Sequence, residues 1–318
     1  MSDMTLNQQK SKIATLEAES QLKSRSLLAI ATRRFLRHRM AVTGTIMLTL
    51  IALYVTVGAL FYTEAQGNDT NILFKTEPPS SEFWFGSDLV GRDIFIRTIY
   101  GGQISIAIGV VSVFISISVG TLVGIVSGYF GGIVDALLGR ITEMFLSIPP
   151  LILLLVLSSV IIKNATTVNI LGREVSSTVV FIVVLIGLTS WMQLSRIVRG
   201  QVLSLKEQEY IMAARAIGAK DIGIIFRHLL PNIIAPIIVA ATLGIGTAII
   251  TEAYLSFLGF GVQPPTATWG NILTGAQDRI DSVWWMWMAP GFFIVCTVLA
   301  INFIGDGLRD ALDPRSIQ

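Results

Sequence analysis

Apolar residues in this chain fall into long unbroken runs. They show neither the alternation of a half-buried strand nor the one-sided stripe of a soluble helix. Six runs approach or exceed the length of about 20 helical residues that crosses a bilayer core. They are 40–62, 104–130, a third that begins near 133 and is most apolar over 145–162, 177–194, 232–251 and 284–304. The pattern predicts an all-α integral membrane protein of about six transmembrane helices. Composition agrees: 53% of the 318 residues are hydrophobic and only 14% are charged, against about 25% in soluble domains. A soluble fold has too few charges here to cover that much apolar surface. The single cysteine, Cys296, excludes an internal disulfide.

Lys and Arg mark the orientation, because they are retained on the cytoplasmic side. With alternating spans, seventeen fall on the side of both termini and six on the other. The first group includes Lys10, Lys12, Lys23, Arg25, Arg33, Arg34, Arg37 and Arg39 before the first span. It also includes Arg140, the residues Arg196, Arg199, Lys206, Arg215, Lys220 and Arg227 between spans four and five, and Arg309 and Arg315. Both termini are therefore expected in the cytoplasm, and segments 63–102 and 252–283 outside. The first 39 residues do not form a cleavable signal, since the charged part and the apolar run after it are both too long. Residues 1–24 are polar. Residues 25–39 mix apolar and basic positions in the way of a helix lying on the inner membrane surface.

Several features sit within the spans. Ser112, Ser116, Gly120, Gly124 and Gly128 recur every four residues in the second span. Such a ridge lets helix backbones approach closely in lipid, either within the chain or against a partner. Pro149-Pro150 forces a kink or break in the third span, tolerated at that depth only beside protein or a water-filled cavity. Arg140 and Glu143 lie one turn apart and are expected to pair. Trp284, Trp285 and Trp287 suit an interfacial aromatic belt. His38 and His228 lack the spacing to hold a metal together, so no metal site is predicted. Gly-Lys occurs nowhere, which removes a phosphate-binding P-loop, and no H-E-x-x-H, C-x-x-C, G-x-S-x-G or G-x-G-x-x-G occurs. No catalytic residue and no cofactor is assigned to this chain. An ion-coupled transporter needs carboxylates within the spans, and Glu143 is the one counted there.

The segment from Ser195 to Asn232 carries the strongest signal. A helix is predicted over 206–217, closed by Gly218 in a left-handed C-cap. Asp221 is expected to N-cap a second helix running into Pro231. Tyr210, Ala213, Ala214 and Ile217 share one face of the first helix. That face is apolar and flat, and suits either docking by another protein or packing on the chain's own helix ends.

This segment resembles the signature of ABC importer membrane subunits: E-A-A, three residues, G, nine residues, I-x-L-P. Ala213 and Ala214 supply the alanines, Gly218 the glycine, and His228-Leu229-Leu230-Pro231 the end, with Met212 at the Glu position and His228 at the Ile position. Glu209-Tyr210 and Arg227 to Asn232 are similar to the peptide-importer branch. So are Phe85-Gly86-Ser87-Asp88 with Gly91-Arg92-Asp93, Tyr129-Phe130-Gly131-Gly132 with Asp135, and the run from Tyr254 to Asn271. The chain is identified, over about 25–314, as resembling the C-type permease of dipeptide/oligopeptide/nickel importers.

The resemblance implies a type I ABC importer permease fold. Residues 1–39 would form a cytoplasmic tail, 40–62 the first transmembrane helix, 63–100 an external segment and 101–311 a permease core of five helices. Glu209, Tyr210, Ala213, Ala214, Arg215 and Gly218 would form a coupling helix seated on an ATPase. Asp88, Arg92, Asp93, Gln263 and Trp269 become candidates for an external gate or binding-protein docking. The implied partners are a second homologous permease, two ABC ATPase subunits that carry ATP and Mg, an extracytoplasmic substrate-binding protein and the lipid bilayer, with no nucleic acid. The implied location is the cytoplasmic (inner) membrane of a prokaryote. Peptides are the default substrate, and nickel, opines, glutathione or oligosaccharides pass through similar permeases. No pore-lining residue is nameable from one sequence.

Overall fold

The computed structural model describes residues 27–163, 165–170 and 172–312. The polar stretch 1–24, Arg25 and Arg315 lie outside the described residues. The basic amphipathic helix expected near the start is α1, Leu27–Arg37, followed by the first long apolar helix, α2, Arg39–Phe61. His38 separates them. Its Nδ1 accepts the Ala41 N–H at 3.1 Å and so caps α2, while Nε2 lies 3.4 Å from Asp310.

Beyond α2, a short helix α3, Glu64–Asn68, and a 3₁₀ turn, Ile72–Phe74, lead to α4, Ile94–Phe130. At 37 residues, α4 is about 55 Å long and begins ten residues before the apolar run expected at 104. The Asp93 carboxylate accepts the Ile96 N–H at 3.2 Å and starts it. The external segment expected over 63–100 therefore ends at Asp93. Its first turns carry Arg97, which hydropathy alone excluded from a span but which is buried and donates to Asn68 of the preceding segment.

The third span is broken. Helices α5, Gly132–Leu146, and α6, Pro150–Ile162, meet at 80°. Pro149 and Pro150 remove two amide donors, and Pro150 starts a new helix where a proline costs nothing. A hairpin the all-α expectation did not include follows. Strands β1, Thr167–Ile170, and β2, Arg173–Ser176, pair antiparallel with Thr167 opposite Ser176.

Helix α7, Ser177–Lys206, runs twelve residues past the predicted end of the fourth span. It is followed by α8, Glu209–Ala216, and α9, Asp221–Ile224. A π turn, Ile225–Leu229, joins α9 to α10, Leu230–Phe257. Pro231 explains that turn: it donates no hydrogen bond and crowds the carbonyl four residues back, and widening the helix by one residue relieves both. The chain then forms α11, Trp269–Leu273, a 3₁₀ segment, Thr274–Arg279, and α12, Trp284–Leu312. Among the described residues, five helices are long and apolar enough to cross a membrane, and the α5–α6 pair makes a sixth span if counted as one.

The small ridge of α4 packs on α7 within this chain. Ser112 Oγ donates to the Val183 carbonyl at 3.0 Å, and Gly120, Gly124 and Gly128 lie against the backbone of residues 191–202. A Cβ on Gly124 would stand 2.7 Å from the Ser195 carbonyl oxygen. Around this contact Ile104, Ile108, Ile182, Ile186, Ala248 and Leu255 form one core, joining α4, α7 and α10.

The tryptophan belt is partial. Trp284 and Trp287 are exposed, whereas Trp285 is buried and its Nε1 donates to the Ser87 carbonyl at 3.2 Å. Gly124→Val is expected to destabilise the folded chain by roughly 1–3 kcal/mol, the usual range for overpacking a close contact. Thermal unfolding in detergent reads this, and an unchanged midpoint would remove α4–α7 close packing as the source of order.

Candidate functional site

At the inner end, so named from the charge bias, Glu207 and Gln208 break the helix between α7 and α8, so Lys206 belongs to α7 and the predicted 206–217 helix shortens to Glu209–Ala216. The face that matters is rotated from the one read in the sequence. Ile211 is 0% exposed, within a core that contains Val198, Val202, Ile224, Leu229 and Ile233, and Ala214 is buried as well. The remaining expected members, Tyr210, Ala213 and Ile217, are exposed, as is Met212. Ala214 is thus an anchor, and the free face is carried by Tyr210, Met212, Ala213 and Ile217. Ile222 and Phe226, in the segment that follows, are also exposed.

The far end of α8 closes as predicted. Gly218 has φ +83°, its N–H donates to the Arg215 carbonyl at 2.9 Å, and the Ala219 N–H reaches the Ala214 carbonyl at 3.0 Å. This pair of bonds is a Schellman closure. Asp221 does not cap a helix through its side chain. It is the first residue of α9, and its carboxylate accepts the Tyr129 hydroxyl at 2.6 Å. The Arg215 guanidinium lies 5.0 Å from the Tyr129 ring centre. Tyr129, at the end of α4, therefore touches both sides of the turn after α8. Tyr210 lies 6.2 Å from the His228 ring, and Glu209 sits exposed in the first turn, where a carboxylate suits the helix dipole.

A second clamp sits nearby. Arg199 of α7 donates to Asp135 of α5 through Nε at 2.5 Å and Nη2 at 2.6 Å, and Ser127 Oγ adds a bond at 2.5 Å. This bidentate pair was absent from the sequence reading, although Asp135 stood in one of its motifs. The pair that was expected, Arg140–Glu143, forms at 3.3 Å with both side chains largely exposed, where such a pair contributes little.

At the outer end, the five candidates divide. Asp88 is buried and accepts the Val90 and Arg92 N–H groups at 2.9 and 3.0 Å and Arg92 Nε at 2.6 Å. Asp93 is spent on the α4 cap. Its carboxyl is held above the usual carboxylate range by burial, against the lowering effect of the Ile96 and Phe95 amides. Gln263 donates to the Gly259 and Gly261 carbonyls at 3.2 and 3.1 Å. Asp88, Arg92 and Gln263 line one cleft of about 360 Å³ together with Arg97 and Asn271.

Trp269 does not join them. It is 0% exposed, donates to the Thr98 carbonyl at 2.9 Å and stacks on Phe293 at 5.7 Å. A side chain so enclosed offers nothing to a docking protein, and it acts as a strut between α4 and α12.

Sequence counting also missed Glu252, which lies one residue past the expected end of the fifth span. It is fully buried. Ser256 Oγ donates to it at 2.6 Å and Ser105 Oγ at 3.2 Å. Those hydroxyls in turn accept the Val262 and Trp269 N–H groups, each at 3.2 Å. The carboxylate therefore ties the outer loop to α4 and α10. Its visible signal was an acidic residue four before a serine at the edge of an apolar run. Arg173 makes a comparable link from the hairpin, with two bonds to Glu64 at 2.5 and 2.8 Å and one to Gln103 at 3.0 Å. Among the described residues no group of His, Cys, Asp and Glu is placed to hold a metal.

Long apolar helices, one broken span and an exposed apolar face on a short anchored helix define a multi-pass membrane permease component. The chain belongs to the family of binding-protein-dependent transport system inner membrane components, whose model matches residues 120–318. The N-terminal TM domain of oligopeptide transport permease C matches residues 26–79. Among its relatives, the oligopeptide transport system permease protein OppC of Bacillus subtilis is 39% identical over 293 residues, covering 92% of this chain and 91% of that protein. The dipeptide transport system permease protein DppC of Alkalihalophilus pseudofirmus is 40% identical over 285 residues, covering 90% and 89%. In fold, the chain is similar to a solved chain of the inward-facing MetNI methionine ABC transporter, with TM-score 0.52 and 23% identity, over 69% of this chain and 98% of that one.

Gly218→Val is expected to open the turn after α8, because a β-branched residue resists a left-handed backbone by about 1–2 kcal/mol. No atom lies within 4 Å of the Cβ position, so the effect is conformational. Limited proteolysis should cut the variant near 217–220 faster than the parent, and equal rates would contradict the closure.

Proposed function

We propose that this chain is the membrane-spanning permease subunit of an ATP-driven importer of di- or oligopeptides. It pairs with a second homologous permease in the cytoplasmic membrane, with both termini inside. Two ABC ATPase subunits supply the hydrolysis with their ATP and Mg, and an external binding protein delivers substrate. This chain performs no catalysis. The peptide assignment draws support from the names of its relatives.

The observation that carries the reading is the two-sided construction of α8. Its outward face presents Tyr210, Met212, Ala213 and Ile217. Its inward face is locked through Ile211 into the core of α7, α9 and α10, with Ala214 buried beside it. An exposed apolar face of this kind marks a protein-docking surface. A partner that grips it moves the ends of α4, α7 and α10 together, because Tyr129, Val202 and Ile233 all belong to that core. Closing and opening two ATPases would thus be converted into alternating access of the spans. Met212 at the position of a carboxylate in the family signature implies that this docking relies on apolar contact more than on charge.

The two alanines separate docking from folding. Ala213→Asp places a charge on the free face and is expected to abolish substrate-stimulated ATP hydrolysis in the reconstituted assembly, while the chain inserts normally. Desolvating an unpaired charge in an interface costs several kcal/mol. Ala214→Asp should instead destabilise the chain itself. Full stimulated hydrolysis with Ala213→Asp would reject α8 as the ATPase contact.

A further inference from the structure

We propose that the cleft floored by Arg97 is a binding site for a carboxylate that enters from the outer face. This inference rests on side-chain chemistry and stands apart from the transport reading.

Arg97 is 3% exposed. Its Nη1 donates to the neutral Asn68 Oδ1 at 2.9 Å, and its Nε has no hydrogen-bond partner among the described residues. Among the described residues, none of the ion pairs within 4 Å involves it. A buried guanidinium is normally paired, because removing it from water without a counter-charge is costly. The acidic groups around it are already engaged. Asp88 already accepts from Arg92 Nε and two amides, and Glu64 is held bidentate by Arg173. The pocket therefore carries one positive charge without a balancing anion.

The surroundings fit an anion of small size. The cleft holds about 360 Å³ and includes Arg92 along with Arg97. Arg92 uses Nε on Asp88, while its two terminal nitrogens bind nothing among the described residues. Val90 and Pro264 at the rim are exposed, so the cleft has a mouth. Planar guanidinium groups match carboxylates in geometry as well as charge. A peptide's free terminus and an acidic side chain on a docked protein share this chemistry.

The test uses the full chain in lipid nanodiscs, titrated calorimetrically at constant ionic strength with sodium acetate, dialanine and dialaninamide. The site is expected to bind acetate and dialanine and to ignore dialaninamide. Arg97→Gln should weaken acetate binding by about tenfold or more. Asn68→Asp places a carboxylate where Arg97 Nη1 already donates. It should raise the thermal midpoint and block acetate. Dialanine that binds more tightly than acetate assigns the occupant as a peptide terminus. Equal affinities mean that the peptide adds no contact, and assign it as an acidic side chain of a docked protein. Lack of acetate binding by the parent, unchanged binding in Arg97→Gln, or a lowered midpoint in Asn68→Asp would each overturn the proposal.

Discussion

The close approach of α4 and α7 governs much of this structure. In lipid there is no hydrophobic drive between helices, so packing and a few polar bonds must hold them. Glycines at 120, 124 and 128 let the α7 backbone come within van der Waals reach along three turns. That contact sets the height of Arg199 against Asp135 and of Tyr129 against the turn after α8. It also fixes where α7 ends, and hence where α8 sits.

From that spine the two ends acquire different characters. The outer end is tied by polar bonds: between side chains, Glu252 with its two serines and Arg173 with Glu64, and to backbone, Trp285 with the Ser87 carbonyl. The inner end is held mainly by apolar packing around Ile211, Leu229 and Ile233. Burying a side chain such as Ile211 contributes about 1.5–3 kcal/mol, enough to make α8 move with the helices beneath it. Apolar contacts have no fixed direction, so the inner end can transmit force without being set in one geometry. In the proposed assembly this division leaves motion to the inner and broken elements and keeps the outer loops as a frame.

Hydropathy made the spans legible, and the helix ends were lost wherever a helix continued beyond its apolar window. Helix α4 starts at Ile94 because Asp93 caps it, and Arg97 in its first turns is buried. Helix α7 runs to Lys206 through residues too basic for a hydropathy window. The Pro149-Pro150 break and the Gly218 closure were legible because each follows from backbone chemistry. Faces were harder. A pattern shows that Tyr210, Ala213, Ala214 and Ile217 line up, but which neighbour meets the chain's own core depends on the distant Val198 and Ile224. Asp88 and Trp269 were conspicuous in their motifs, and both prove to be enclosed supports. Glu252 and Arg97 escaped notice because their significance is burial, which no linear pattern records.

The central claim is that this chain works only within a larger assembly. The direct measurement is affinity isolation of the tagged full chain from its native membrane in mild detergent, with identification of the proteins that accompany it. The account predicts a second permease of similar span number together with P-loop ATPases, and an external binding protein when substrate is present. A chain that purifies alone or as a homo-oligomer, with uptake driven by an ion gradient, would contradict it.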